Sequence, residues 1–474
     1  MRDPTLPRFA VAMLLSLAGC TMGPDFHPPV AALPPVWAGL PAATTAQAPD
    51  WWRAFGDPTL DALEARAMAA NLDLAAARER LAAARIARGA LAAAGQPTLT
   101  GTAGYSRDRI GTQGAAALAA PILGLPPQTG TPAKGVDFDL YSLGVGARWE
   151  IDLWGRQRRE TEAAGAEVAA GAAATDGVAL AVAAEVARTY FQLRGLHAEQ
   201  RFAASALALA DRALAIARML HARGLRSALE VAQEEEEDRA RLIADRVELD
   251  RRTAALARAL AVLVGGDPDH AVIAPAAALP AFAIGPTPAR LPSETARRRP
   301  DIVEAEARLH AATARIGVAQ ADFYPRIDLT GLFSFDVLRL ADLGWDARNT
   351  SVGPALTLPI FAGGRLQRQL DLRRSEERAA ALAYRATVLA AWREIDDAVA
   401  DVRAAAAQAT AAAADLARRR AVETMATARF ARGDIAAAAV IDAQTHRIEA
   451  EAALMRRRLA AALAQVQLHR ALGG

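Results

Sequence analysis

The run Leu140-Tyr141-Ser142-Leu143-Gly144-Val145-Gly146-Ala147-Arg148-Trp149-Glu150-Ile151, followed by Asp152-Leu153-Trp154-Gly155-Arg156, decides how the rest of the chain is read. Tyr141, Leu143, Val145, Ala147, Trp149 and Ile151 fall on one side of a period-two chain. Leu140, Ser142, Gly144, Gly146, Arg148 and Glu150 fall on the other. Alternation of that kind is the signature of a strand with two unlike faces. Immediately after it, Gly155 opens a stretch with no helix breaker strong enough to stop it before Gly224.

Working outward, the same alternation recurs. Ile327, Leu329, Gly331, Phe333 and Phe335 oppose Arg326, Asp328, Thr330, Leu332 and Ser334, and Val352, Pro354, Leu356, Leu358 and Ile360 oppose Ser351, Gly353, Ala355, Thr357 and Pro359. A weaker version spans 98–107, with Leu99, Ala103 and Tyr105 on one side. Each run is about ten residues, the length a tilted membrane strand needs. A soluble β-sandwich edge shows the same alternation, so the runs alone leave both readings open.

The chain also repeats itself. Ala222-Arg223-Gly224 matches Ala431-Arg432-Gly433 at an offset of 209, Leu263-Val264-Gly265-Gly266 mirrors Ala471-Leu472-Gly473-Gly474 at 208, and Ala84-Arg85-Ile86 matches Ala314-Arg315-Ile316 at 230. The change of roughly 21 residues falls between these anchors, where one loop is longer in the first half, and anchors that recur in order mark a repeated structural unit. The expected organisation is a leader over 1–19, an N-terminal tether over 20–57, a first repeat over 58–266, a Pro- and Ala-rich linker over 267–293 and a second repeat over 294–474. Each repeat has one plan: a helix (58–94 or 294–321) stopped before Pro97 or Pro325, two strands, a very long helix (156–222 or 365–431), a glycine turn, and a returning helix (227–264 or 436–472). A 67-residue helix spans about 100 Å. Val388, Trp392, Ile395, Val399 and Val402 recur at spacings of 4, 3, 4 and 3, and Ala406, Ala409, Ala413 and Leu416 continue the register of a coiled-coil seam.

The N-terminus reads as an address. Arg2 and Arg8 precede an apolar run, Phe9 to Leu17, which is too short to span a bilayer. It ends in Leu17-Ala18-Gly19-Cys20, and Cys20 is the single cysteine of the chain. This matches a bacterial lipoprotein signal, with Cys20 as the lipidated first residue of the mature protein. A lone cysteine also excludes an internal disulfide. No later segment reads as an uninterrupted apolar stretch of spanning length, so a membrane crossing falls to the strands. That context favours the membrane reading over the sandwich. Four strands cannot close a transmembrane barrel, since the smallest has eight. Two copies supply eight and three supply twelve, and spacing does not choose between them.

Composition excludes other classes. Lys plus Arg 55 against Asp plus Glu 53 gives a net charge of +2 over 474 residues, without the basic surplus of a nucleic-acid binder. A mean hydropathy of +0.09 is too low for a bundle of spanning helices. The seven histidines are scattered and no His-Glu-x-x-His occurs, so neither a catalytic signature nor a cofactor or metal site is expected. Asp442 and His446 lie four apart on one helical face, but no further ligand accompanies them. The acidic run 234–238 reads as a solvated helix face, and 108–138 as an exposed external loop. The reading that competes with a membrane channel is a periplasmic coiled-coil structural lipoprotein.

Several motifs together carry a family resemblance. They are Cys20-Thr21-Met22-Gly23-Pro24-Asp25-Phe26, Trp51-Trp52-Arg53-Ala54-Phe55-Gly56-Asp57-Pro58, Trp149 to Arg156, Arg298-Arg299-Pro300-Asp301-Ile302, Ala319 to Pro325, Pro359 to Arg365 and Arg470 to Gly474. With them the chain resembles the TolC-like outer-membrane efflux channels, in the lipoprotein branch that includes OprM and NodT. The resemblance implies a mixed α and β membrane protein. Three chains would build a twelve-stranded β-barrel, four strands from each, continuous with a long periplasmic α-helical coiled-coil barrel. It implies a passive, gated exit duct for drugs or other small toxic compounds, without enzymatic activity. The implied partners are two further copies, outer-membrane lipid, a periplasmic adaptor protein and an inner-membrane transporter of the proton-driven RND class. The two glycine turns become periplasmic tips, with Arg223, Gly224, Leu225, Arg432, Gly433 and Asp434 as candidates for adaptor docking. Asp442 matches a pore-constricting acidic position, although Ala439 stands where relatives often carry a second polar residue.

Overall fold

A computed structural model describes residues 21–29, 50–110, 136–233, 239–270 and 298–474. In chain order the helices are α1 (Pro58–Ala70), α2 (Leu72–Ala94), α3 (Arg156–Ala222), α4 (Ala228–Gln233), α5 (Ala240–Leu263), α6 (Pro300–Ala321), α7 (Arg365–Ala431) and α8 (Ala437–Ala471). The strands are β1 (Thr98–Ile110), β2 (Val136–Ile151), β3 (Arg326–Val337) and β4 (Arg348–Thr357). The described residues divide into two compact units. One holds 21–27, 84–110, 136–167 and 309–379. The other holds 28–29, 50–83, 168–233, 239–270, 298–308 and 380–474.

In the first unit the strands form one antiparallel sheet in chain order, so β1 and β4 are its edges. The register keeps like with like. Leu99, Ala147, Gly331 and Val352 share a cross-strand row, and Thr98, Arg148, Thr330 and Gly353 share the next. Because side chains alternate, this pairing puts one apolar face on all four strands at once. Leu99, Leu143, Val145, Trp149, Val352 and Leu356 on that face are exposed in the single chain. The opposite face is polar, with Arg148 paired to Asp328 at 3.2 Å, and Phe138, Leu140 and Leu332 as apolar exceptions. Strand β4 ends at Thr357, short of the expected Ile360. Pro359 lacks the N–H a ladder needs and biases Leu358 before it.

Tryptophans tie the strand bases to the adjoining helix ends. Trp149 Nε1 donates to the Gly95 carbonyl at 3.1 Å, and Trp154 Nε1 donates to that of Pro325 at 2.8 Å. The Trp154 ring stacks on Tyr324.

The second unit buries Trp51, Phe55, Leu60, Val186, Tyr190, Phe191, Leu193, Leu260, Met455 and Val466 in one cluster. Helices α7 and α8 pack antiparallel along the expected seam. Ile395, Val399 and Val402 meet Leu468 and Leu472, and Leu416 meets Ala450 and Leu454. Ion pairs Arg447–Glu423 (2.7 Å) and Arg420–Glu451 (2.9 Å) continue the ladder toward the turn.

Further expectations change. The single helix expected over 58–94 is broken at Asn71. Its side-chain oxygen caps Leu74 N–H at 3.0 Å, and its amide donates to the Leu263 carbonyl at 2.9 Å, a partner remote in sequence. The tether expected over 20–57 contains folded pieces. Trp51 and Phe55 are core residues, and Asp57 caps α1 through Thr59 N–H at 3.0 Å. Finally, one window of α3 reaches a mean hydropathy of 1.3, apolar and long enough to cross a membrane by composition alone. Several apolar residues of α3, among them Val182, Val186, Tyr190 and Leu193, are buried in the second unit's core, and alanine supplies much of the helix's apolar character.

Candidate functional site: hairpin tips, gate stripe and N-terminal grip

The two helical hairpins turn in the same way. At the first, Gly224 N–H donates to the His221 carbonyl at 2.8 Å and Leu225 N–H to that of Leu220 at 2.9 Å. At the second, Gly433 N–H donates to Phe430 at 2.9 Å and Asp434 N–H to Arg429 at 3.0 Å. This pair of bonds is the Schellman closure, which requires a left-handed residue. Gly224 and Gly433 supply it with φ of 74° and 81°. A Cβ at either position meets nothing within 4 Å, so backbone conformation alone demands glycine there.

Beyond the turn the hairpins diverge. The first carries a reciprocal cap: Glu230 N–H donates to Ser227 Oγ at 3.2 Å, and Ser227 N–H donates to Glu230 Oε2 at 2.8 Å. That backbone N–H, followed by the Ser227 hydroxyl, holds the Glu230 carboxyl below its ordinary range. At the second, Ala436 occupies the N-cap of α8 with no side-chain hydrogen bond. An exposed ion pair, Arg432 to Asp434 at 3.2 Å, stands beside it. Arg223 and Leu225 at the first tip are exposed.

Asp442 lies in the second turn of α8 and is exposed, while Ala443 and Ile448 face the buried side. The structure pairs it with His446, whose Nε2 lies 3.5 Å from Asp442 Oδ1 and whose Nδ1 lies 3.1 Å from Glu449 Oε2. Spacings of four and three place Asp442, His446 and Glu449 in one open stripe. Glu449 went unnoticed in the sequence, although its spacing from His446 was the available signal. Among the described residues no group of three metal-capable side chains converges.

Cys20 lies outside the described residues, as do the acidic run 234–238 and residues 111–135 of the loop expected over 108–138, whose ends, 108–110 and 136–138, belong instead to strands β1 and β2. The segment that follows Cys20 is described and tightly held. Met22 N–H donates to the Trp154 carbonyl at 3.0 Å. Arg159, buried at the start of α3, donates Nε to the Met22 carbonyl at 3.0 Å and Nη2 to Asp25 Oδ1 at 2.7 Å. Phe26 stacks on His310 at 4.4 Å, and His310 in turn contacts Glu162. Two glycines admit this segment. A Cβ on Gly155 would sit 2.4 Å from Thr21, and one on Gly317 would sit 2.6 Å from the Met22 carbonyl oxygen.

An unclosed sheet with one apolar and one polar face, carried on helices of 67 residues, defines a class: a chain contributing part of a membrane barrel. The family model for outer membrane efflux proteins matches residues 63–262 and 291–474, and the chain belongs to that family. It is 30% identical to the pyoverdine export outer membrane protein OpmQ of Pseudomonas aeruginosa, over all of this chain and 97% of that one. It is 29% identical to nodulation protein T of Rhizobium leguminosarum, over 94% of this chain and 89% of the relative. Among solved structures, the outer-membrane channel OprN superposes with a TM-score of 0.84 at 30% identity, covering 96% of this chain and 99% of that one. The open-state MtrE channel of Neisseria gonorrhoeae superposes at 0.75 with 26% identity, covering 96% and 98%. The fold class is therefore the expected one, that of the trimeric outer-membrane channels, with four strands per chain on a long helical body.

Proposed function

We propose that this chain is the outer-membrane exit duct of a tripartite efflux system, passing drugs or other small toxic compounds without chemical turnover. One observation carries the reading: four strands share an apolar face but leave both edges, β1 and β4, unpaired. Open edges in lipid cost several kcal/mol per unsatisfied backbone group. Pairing β4 of one copy with β1 of the next removes the edges, and three copies give the twelve-stranded wall. The polar faces then line the lumen and the apolar faces meet lipid.

On this reading Cys20 carries the lipid anchor, and the grip on Thr21–Phe26 holds the anchor beside the strand bases. The tips at Arg223, Gly224, Leu225 and at Arg432, Gly433, Asp434 receive a periplasmic adaptor, through which an inner-membrane transporter of the RND class engages the duct. Three copies of Asp442 form an acidic ring that favours cations at the constriction, and opening spreads the helices that carry it. Planar-bilayer recording tests the duct. Wild type is expected to conduct weakly, and a protein with Asp442→Ala and Arg432→Ala to conduct several-fold more. A silent bilayer in both cases would falsify the gated duct. Cys20→Ser provides a second check: the variant should still require detergent, whereas a structural lipoprotein would become water-soluble.

A further inference from the structure

The connection between β3 and β4 folds back onto the apolar face of the sheet. Trp345 sits in a short 3-10 turn, with its ring 6.1 Å from Phe333 and 6.4 Å from Phe335. Both phenylalanines belong to the apolar face, since Phe333 pairs with Val145 and Phe335 with Leu143. Yet Trp345 stays 67% exposed, and Leu338, Leu340 and Leu343 of the same connection are exposed too. This is a large apolar corner continuous with the lipid-facing surface, at the end of the strands away from α6 and α7.

A cation is fixed in the same corner. The Arg348 guanidinium lies 5.4 Å from the Trp345 ring centre and donates Nη1 to the Trp345 carbonyl at 2.7 Å. Arginines elsewhere on the sheet have carboxylates: Arg107 has Asp139, Arg109 has Asp137 and Arg148 has Asp328. Arg348, and Arg339 in the loop, have no carboxylate partner among the described residues. Asp342 and Asp346 balance these two arginines in count. Net charge therefore attracts nothing here, and placement must account for any selectivity. A guanidinium over a tryptophan ring, with one N–H spent on the Trp345 carbonyl and no carboxylate on the others, matches a phosphate above acyl chains.

We infer that this corner binds the phosphorylated glycolipid of the outer leaflet, of the lipid A class, with Arg348 on a phosphate and Trp345 with its leucines against the acyl chains. The inference rests on the outer-membrane duct reading, which puts this end of the strands at the outer leaflet. A phosphate on a multi-acyl body suits the corner better than a two-chain phospholipid, because three exposed leucines recur along the connection that leads into Arg348.

The test uses the full-length channel in phospholipid nanodiscs with and without diphosphoryl lipid A, read by native mass spectrometry of retained lipid. Wild type should retain diphosphoryl lipid A and lose retention at least about fivefold when the lipid is dephosphorylated. Arg348→Ala should reproduce that loss, and Trp345→Ala should weaken retention of both forms. Arg107→Ala, at a paired arginine, should leave retention unchanged. Equal retention by wild type and Arg348→Ala overturns the inference, as does equal retention of dephosphorylated lipid or of phosphatidylglycerol. Trp345→Cys that resists labelling in lipid-free detergent also overturns it, because a neighbouring copy then covers the corner. Single-channel conductance of the same samples separates the two claims. Conducting channels that retain no lipid sink only this inference, and channels that never insert sink the duct reading beneath it.

Discussion

The two repeats share a plan but handle their exceptional residues in opposite ways. In the first, Glu64 is completely buried on α1, and neither carboxylate oxygen has a hydrogen-bond partner. In the second, the buried Arg299 is fully engaged: it donates to the Ala471 carbonyl at 2.7 Å, to Asp301 at 2.7 Å and to Glu394 at 2.8 Å. The tips reverse the order, since the first is capped by Ser227 and Glu230 and the second is not. Stability is thus unevenly placed. The first repeat has a polar defect at its buried end and a finished tip. The second has a clasped end and a loose tip, close in sequence to the exposed Asp442 stripe.

The largest test breaks the clasp. Arg299→Ala removes three interactions, but Asp301 and Glu394 are nearly half exposed and regain water. Destabilisation of about 3 kcal/mol is expected, read as a lower unfolding temperature in detergent. A change near zero would mean the clasp is ornamental.

Next comes Glu64. Burial, followed by the nearby Asp61, pushes its carboxyl from 4.5 up to about 9. A raised folded-state value means that the folded protein holds a proton the unfolded chain has lost. The stability associated with that proton is complete below pH 4.5 and drains away as pH rises toward 9, by at most about 1.4 kcal/mol per unit. Glu64→Gln should therefore stabilise by about 2 kcal/mol at pH 8 and by almost nothing at pH 4. Equal effects at both pH values would show that Glu64 reaches water.

Smaller effects compare the tips directly. Gly433→Ala and Gly224→Ala should each cost about 1 kcal/mol, through the positive φ they share. Hydrogen exchange at each turn reads this, and unequal costs would break the equivalence of the turns. Ser227→Ala should cost about 1 kcal/mol at the first tip, and Ala436→Ser should return up to a similar amount at the second. If the loose tip serves gating, the Ala436→Ser channel should also open less often in a bilayer.

These contrasts explain what could be read in the sequence. Helices α3 and α7 have the expected bounds because glycines punctuate both ends: Gly155 and Gly364 before them, Gly224 and Gly433 after, all with positive φ. The sheet was legible because every strand obeys one period and one register. Asn71 was not. An asparagine in an Ala-rich helical run breaks the helix only because Leu263, far along the chain, offers a carbonyl to its amide. Trp345 was likewise silent, since its partners lie on β3 and nothing local announces the fold-back. Asp442 was singled out by motif and its spacing from His446 was visible, but the second contact of His446, to Glu449, emerged only with the exposed face of α8.

The grip on the residues after Cys20 has a consequence for the order of assembly. Thr21 rests on Gly155, Met22 on Arg159, Gly23 against Gly317 and Phe26 on His310. Residues 21–26 are thus stitched to places 134 to 294 positions downstream, in both halves of the chain. Contacts of such long sequence separation form slowly, since closing so large a loop precedes any reward. Docking of this short segment is therefore a finishing step, a seam sewn once the opening and closing halves have already met.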